Sequence, residues 1–495
     1  MNRTTTAHTR HGAQAGNRWV ALVVLCVGML MIILDQTIVN VALPSIQGDL
    51  GFSQSSLAWV VNAYLIAFGG VLLLAGRLGD LVGPRRIFLS GLAIFTLASL
   101  LCGAAQDQAV LIGARFVQGL GGAMTSAVIL GMIVTLFPRP DERARAIGVY
   151  AFVASAGASV GLLAGGVLTQ ALNWHWIFFV NLPIGIATAV AASRLLGRDE
   201  GIGLSRGADL PGALLIVAAL MLGVYTIVDV PGHGWTSAHT LGLGAVALGL
   251  LAAFVAREAA AAHPLVPLRI FRSRNVATAN QVQLLMVAGL LGMFFLGALY
   301  LQRVLGYDAL QVGLAFLPVA LAIGTLSLGV SARLITRFGA RATLVPGLVL
   351  VAAGLTLFER APVDAAYLPN VLPVMLLLGV GAGLSFPALM TLAMSGATAS
   401  DSGLASGLVN TTQQVGGAVG LAVLATLSTT RTESRLASGE SVPQALTGGY
   451  HLAFALAAIL VVAALALAVA LLRPDGATEP EADEVRGAQP AYSEE

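Results

Sequence analysis

The amino-acid sequence predicts an all-α polytopic membrane protein, and three observations carry that prediction. Only 10% of the residues are charged and 57% are hydrophobic, with a mean hydropathy of +0.86, whereas soluble domains carry about 25% charged residues. Apolar runs of roughly 20 residues recur along almost the whole chain, each long enough to cross a hydrocarbon core of about 30 Å as a helix. Arginine is distributed unevenly among the loops between those runs, as the positive-inside rule requires.

Taken in order, the first run, 19–41, follows a polar segment with three arginines. It lacks the short apolar core and small-residue cleavage site of a signal peptide, so it reads as a retained first span. The run 57–76 ends in the loop "GRLGDLVGPRR" (76–86), and 87–105 and 109–136 are divided by a short polar break. Arg139, Arg143 and Arg145 precede the bulk of 145–169, and "NWHWIFFVNLPIG" leads into 176–196. The runs 210–229 and 240–257 stand between polar stretches, and Arg269, Arg272 and Arg274 precede 276–301. After 309–331 come Arg333, Arg337 and Arg341, then 343–358, 367–390, 403–427 and 449–472. Fourteen spans place both termini on one side. With that side cytoplasmic, Arg303, Arg360, Arg431 and Arg435 face outward, Arg115 lies within a span, and every other arginine faces inward. A missed span would scramble this pattern.

All 26 basic residues are arginine, which with heavy Ala, Gly and Val use fits a GC-rich genome. Cys26 and Cys102 lie in apolar runs and read as small buried hydrophobes, not a disulfide. Residues 473–495 read as a disordered acidic cytoplasmic tail.

An internal repeat organises the spans. Arg77, Leu78, Gly83 and Arg85 match Arg333, Leu334, Gly339 and Arg341, and Ala146, Gly148, Gly157 and Gly161 match Ala405, Gly407, Gly416 and Gly420 at nearly the same offset. A duplicated six-span unit follows: a cytoplasmic tail at 1–18, a six-helix bundle at 19–196, two linking spans within 197–274, and a second six-helix bundle at 275–472. Repeated halves with a site at their interface are the signature of a rocking transporter.

Asp35 and Arg115 are the ionisable residues well inside the spans, while Asp229 and Glu258 fall at span ends where water is close. A charge at a span centre costs about 2.5–3.5 kcal/mol on insertion scales, so both are functional candidates. Asp35 lies about 24 Å along a helix from Trp19, in the outer half. There a carboxyl group can alternate between a protonated state and an ionised, cation-facing state. The alternative is a neutral Asp hydrogen-bonded to Gln36, Thr37 or Asn40 for packing. Arg115 is either a coupling residue or a strut bonded to carbonyls or Gln118. Gly119 and Gly121 have counterparts in Gly379 and Gly381, but Arg115 falls on Met375, so the helix packing is duplicated and the charge is not.

Gly157, Gly161 and Gly165, four apart in "GASVGLLAGG" with Gly166 beside them, form a small-residue face for close helix approach. In "GRLGDLVGPRR" the glycines permit tight turns, and Asp80 can cap a helix start or pair with arginine; a conformational latch and a purely topological role both fit. No P-loop, GxSxG, HExxH or CxxC motif is present, and the seven histidines are scattered, with no metal-ligand arrangement in the sequence. Nothing favours an enzyme. Trp174 and Trp176 read as membrane-interface residues.

These segments together resemble the fourteen-span drug:proton antiporters of the major facilitator superfamily, over residues 19 to 472. "LDQTIVNVALP" is similar to the family's span 1 motif, whose acid, here Asp35, takes part in proton coupling. "GRLGDLVGPRR" is similar to the loop 2–3 latch, with Gly76, Asp80, Gly83 and Arg85 matching. "RFVQGLGGA" resembles the span 4 motif, whose arginine, here Arg115, is implicated in proton transfer, and Gly157, Gly161, Gly165 and Gly166 fall on the span 5 antiporter motif. "WHWIFFVNLPIG" resembles a tryptophan-rich family segment. Two departures stand out: Leu162 follows Gly161 where proline is usual, and Trp-His-Trp stands where arginine is more usual.

The resemblance implies a major facilitator fold and a monomer in the plasma membrane that exports amphiphilic drugs or antibiotics in exchange for protons. It would need no cofactor, being driven by the proton gradient, and would engage the lipid bilayer but no nucleic acid. Span 10 carries no acid beyond Asp308 at its mouth, which points to neutral, zwitterionic or monocationic substrates. The rival readings are a dedicated exporter of one metabolite or self-made antibiotic and, more distantly, a non-transporting receptor or scaffold.

Overall fold

The computed structural model describes residues 5–472 except 54, 198–200, 202, 204–208, 262–263, 267–268, 270, 272 and 395–401. The acidic tail at 473–495 lies outside the described residues. All regular structure among the described residues is helical. The N-terminal part comprises α1 (Thr5–Leu50), α2 (Trp59–Val82), α3 (Pro84–Gly103), α4 (Gln108–Leu136), α5 (Pro140–Ala171), α6 (Trp176–Phe179) and α7 (Asn181–Leu195). Then come α8 (Leu210–Val228), α9 (Val230–His233) and α10 (Ala238–Ala260). The C-terminal part comprises α11 (Arg274–Arg303), α12 (Ala309–Thr325), α13 (Ser331–Phe338), α14 (Ala340–Phe358), α15 (Leu372–Met394), α16 (Ser402–Ala437) and α17 (Val442–Leu471).

Eleven helices among the described residues are long and apolar enough to cross a membrane. The runs expected at 145–169, 309–331 and 403–427 are helical too, on α5, α12–α13 and α16. The sixth run breaks between α6 and α7, and the tenth is interrupted by a π-helical turn at Leu326–Val330, after Pro318. The first helix outruns its expected span at both ends.

Local chemistry explains the boundaries. The Asp107 carboxylate caps α4 through Val110 N–H at 2.9 Å, and Asp308 forms a reciprocal capping box with Gln311 at the start of α12. The α2–α3 turn needs Gly83, whose φ of 109° is costly for any residue with a β-carbon, and Pro84 then starts α3. Asp80 does not cap that helix; it is exposed in the last turn of α2.

The second half repeats this construction. Gly339, with φ 90°, turns α13 into α14 as Gly83 turns α2 into α3. Arg85 donates to the Ser193 carbonyl near the end of α7, and Arg341 donates to the Val469 carbonyl near the end of α17. Each cation thereby satisfies a carbonyl at a negative helix terminus. Gly161 and Gly165 press on Leu34 and Ile38 of α1, while Gly416 and Gly420 press on Leu284 and Ala288 of α11. Packing follows suit: α1 on α5 matches α11 on α16, and α3 on α4 matches α14 on α15.

Helix ends alternate between two faces. The one with the α2–α3 and α13–α14 turns is arginine-rich and the other arginine-poor. The two parts meet along α2–α16 and, at the arginine-poor face, along α5–α12 and α1–α11. There a β-carbon at Gly166 would strike the backbone of Ala309 and Leu310, and one at Gly313 would strike the Leu162 carbonyl. Gln170 donates to Asp308 at 3.3 Å, and Gln302 donates to the Val41 carbonyl at 3.0 Å. The α8 helix touches both parts: Val217 packs against Gly70 of α2, and Thr426 of α16 donates to the Ile227 carbonyl.

Candidate functional site

Asp35 on α1 and Arg115 on α4 meet inside the N-terminal part, at 0% and 1% exposure. Arg115 Nη1 donates to Asp35 Oδ2 at 2.6 Å. The other carboxylate oxygen, Oδ1, accepts from Gln118 Nε2 at 2.8 Å and from Asn181 Nδ2 at 2.9 Å. Ser99 on α3 accepts from the same two amides, at 3.0 and 2.9 Å, and donates to the Phe178 carbonyl at 3.1 Å. Arg115 also donates to the Val60 carbonyl at 2.9 Å and to Gln118 Oε1 at 2.6 Å. Its guanidinium lies 4.4 Å from the Tyr64 ring centroid and 5.7 Å from that of Phe178, within cation–π range of both.

This arrangement accommodates the ionised carboxylate. Three donors converge on it, two of them on Oδ1, whose lone-pair directions are then both taken. Asp35 does not bond to Gln36, Thr37 or Asn40, the partners of the packing alternative, which are engaged elsewhere. Thr37 donates to the Ile33 and Leu34 carbonyls, Asn40 to the Gln36 carbonyl, and Gln36 to the Tyr64 hydroxyl. Arg115 does bond to Gln118 and a carbonyl, as the strut reading expects, and to Asp35 as well. Its counterpart Met375 on α15 is fully buried and apolar.

Ser99 and Asn181 escaped the sequence reading. Each is a polar residue in an apolar run, and Asn181 lies in "WHWIFFVNLPIG", but nothing in their spacing ties positions 35, 99, 115 and 181 together. Gly76 has open space around it and Asp80 is exposed, so the close approach in the loop 2–3 segment is made by Gly79 against Val128 of α4. Gly157, Gly161 and Gly165 face α1, whereas Gly166 faces the C-terminal part. With Leu162 in place of proline, α5 runs unbroken from Pro140 to Ala171. Cys26 and Cys102 are buried and unpaired, as expected.

Three other expectations need correction. Trp174 is 3% exposed and donates from its indole to Asp49 at 2.9 Å, so only Trp176 is placed on the surface. Glu258, expected near water, is buried and accepts from Val266 N–H at 2.7 Å. The histidines are not all isolated: His233 Nδ1 and His239 Nε2 each lie 3.1 Å from Asp229 Oδ2.

Comparison with known proteins agrees with this architecture. The chain is 40% identical over 481 residues to the puromycin resistance protein pur8 of Streptomyces alboniger, covering 96% of this chain and 95% of that one. It is 40% identical over 457 residues to the cephamycin export protein CmcT of Amycolatopsis lactamdurans, covering 92% and 91%. The fold matches a bacterial homolog of the human lysosomal transporter Spinster with a TM-score of 0.64 at 16% identity, over 91% of this chain and 96% of that one. Residues 25–421 match the Major Facilitator Superfamily, a stretch that holds the whole of the Asp35 network and reaches into the second copy of the repeat; the chain belongs to that superfamily.

Proposed function

We propose that the protein is a proton-coupled exporter of amphiphilic drugs or antibiotics, working by alternating access between two six-span halves in the plasma membrane. Relatives named for puromycin resistance and cephamycin export support the substrate class. The observation that carries the coupling is the fully buried Asp35 carboxylate, held by Arg115, Gln118 and Asn181 in one half and without a charged counterpart in the other. With fourteen spans, a monomer and both termini cytoplasmic, the arginine-poor face is the outer one. The contacts of α5 with α12 then close the outside, and the ionised Asp35 belongs to the stage at which its proton has left and drug enters from the cytoplasm. After rearrangement, Asp35 takes a proton as drug leaves outward. The gradient suffices without a cofactor: about 100 mV supplies about 2.3 kcal/mol per charge, or roughly a fifty-fold concentration ratio per proton.

The test uses purified protein in liposomes holding a pH-sensitive dye, with native protein compared to Asp35→Asn. Drug-triggered proton release that disappears in Asp35→Asn is the expected result. Unchanged release in that variant would overturn the role of Asp35. Because both relatives are named for a single antibiotic, a dedicated exporter is the second reading; a response to one compound in a panel of unrelated amphiphiles would select it.

A further inference from the structure

Outside the Asp35 network the chain brings together one group of side chains with the donor set of a metal site. Asp229 caps the C-terminus of α8, His233 ends the short α9, and His239 is the second residue of α10. All three lie at the arginine-poor face, in the turn between the two linking helices. One ligand atom from each falls within 4.8 Å of the other two. The His233 Nδ1 to Asp229 Oδ2 and His239 Nε2 to Asp229 Oδ2 distances are both 3.1 Å.

A tetrahedral ion with bonds of about 2.0–2.2 Å to nitrogen and oxygen sets its ligand atoms roughly 3.3–3.5 Å apart. Two edges of this group are within a few tenths of an ångström of that spacing. The imidazoles stack, with centroids 4.2 Å apart and planes 19° from parallel, so both rings crowd one carboxylate oxygen from the same side. Only the His239 contact has hydrogen-bond geometry; His233 Nδ1 lies equally close to the oxygen outside that geometry. Binding would tilt the rings apart until both lone pairs converge on the ion. Asp229 also walls a cavity of about 240 Å³ with Ser53, Ser55, Ser56, Trp59 and Tyr225, which leaves space beside the carboxylate for water at the open coordination position.

We infer that Asp229, His233 and His239 form a binding site for one divalent transition-metal ion, with Zn²⁺ the ion best matched to two imidazoles and a carboxylate. The ion joins the end of α8 to the start of α10 and closes the turn between the linking spans. The site is distinct from the Asp35 network and does not depend on proton coupling.

The test uses full-length protein in detergent, purified on a tag without histidine and stripped with a chelator. Co²⁺ is titrated by visible absorption, and Zn²⁺ is measured by competition with a colorimetric chelator. One ion per chain with a four- or five-coordinate Co²⁺ spectrum is expected. Binding should weaken at least about tenfold in His233→Ala, His239→Ala and Asp229→Asn, and fall to background in the triple variant. Native protein that binds no better than the triple variant would overturn the site and leave a hydrogen-bonded His–Asp cluster. The half-exposed positions make misfolding easy to exclude, because metal-free variants should melt with the native protein.

Discussion

Asp35 and Arg115 are coupled through a 2.6 Å contact with almost no water-exposed surface on either side chain. Removing one partner leaves a buried charge with neutral hydrogen bonds alone, a change that costs about 3–5 kcal/mol in comparable pairs, whereas replacing both with apolar residues is often neutral. Arg115→Met should therefore lower the melting temperature of the purified protein markedly. Asp35→Leu combined with Arg115→Met should recover most of that loss while remaining unable to couple drug to protons. A double variant as unstable as the single one would mean that Gln118 and Asn181, not the ion pair, dominate the local energetics. The sequence discloses the two charges because each is costly in an apolar run, but not Ser99 and Asn181. Neutral polar residues are common in membrane helices, and only the fold brings α3 and α7 against α1. The histidine cluster was hidden for a similar reason: Asp229 and His233 stand four apart as on one helix face, but His239 joins them only when the α8–α10 turn folds.

Glycines on α5 serve two different contacts, and their neighbours tell them apart. Gly161 and Gly165 meet α1 in the same half, where Leu34 and Ile38 carbonyls leave no space for a β-carbon. Gly166 meets Ala309 and Leu310 of α12 across the gap between the halves. The four-residue spacing predicts a close-packing face of Gly157, Gly161 and Gly165, as found, but nothing in it tells that Gly166, their neighbour in sequence, meets another helix. Gly166→Val should leave the N-terminal half folded, since the halves can part at this crossing to relieve the overlap. Spin labels placed near the arginine-poor ends of α5 and α12 should then report a longer distance in Gly166→Val than in the native background. Gly165→Val, by contrast, strains packing within one half, where overpacking costs about 1–3 kcal/mol, and should reduce stability with little change in that distance. Equal distance changes in both variants would refute the division of roles. The α2–α3 and α13–α14 turns were the most legible elements, because a positive-φ glycine followed by an arginine that reaches the last helix of its half is written twice in the chain.

At the scale of the molecule, alternating access requires that contacts between halves at one face break in every cycle. Gln170 with Asp308, and Gln302 with the Val41 carbonyl, are polar contacts at the rim of the arginine-poor face. They are exposed or half-buried, so water can replace each hydrogen bond and the net contribution of each is about 0.5–1.5 kcal/mol. Such contacts suit a gate, being enough to favour closure and weak enough to open. The α8 helix adds a hinge-side constraint, since it packs on α2 and its Ile227 carbonyl accepts from Thr426 of α16. Motion of the halves must therefore carry α8 with one of them or slide it along both. Permanent closure of the gate should stop transport whichever way α8 moves. Gln170→Cys with Asp308→Cys supplies the test, because both native cysteines are buried and leave the introduced pair as the accessible thiols. A short bifunctional thiol reagent should bridge that pair in drug-free protein and abolish drug export in liposomes, and cleavage of the bridge should restore it. Export that continues at the native rate through the bridged protein would mean that the halves do not part at α5 and α12, and the rocking mechanism would have to be given up for this chain.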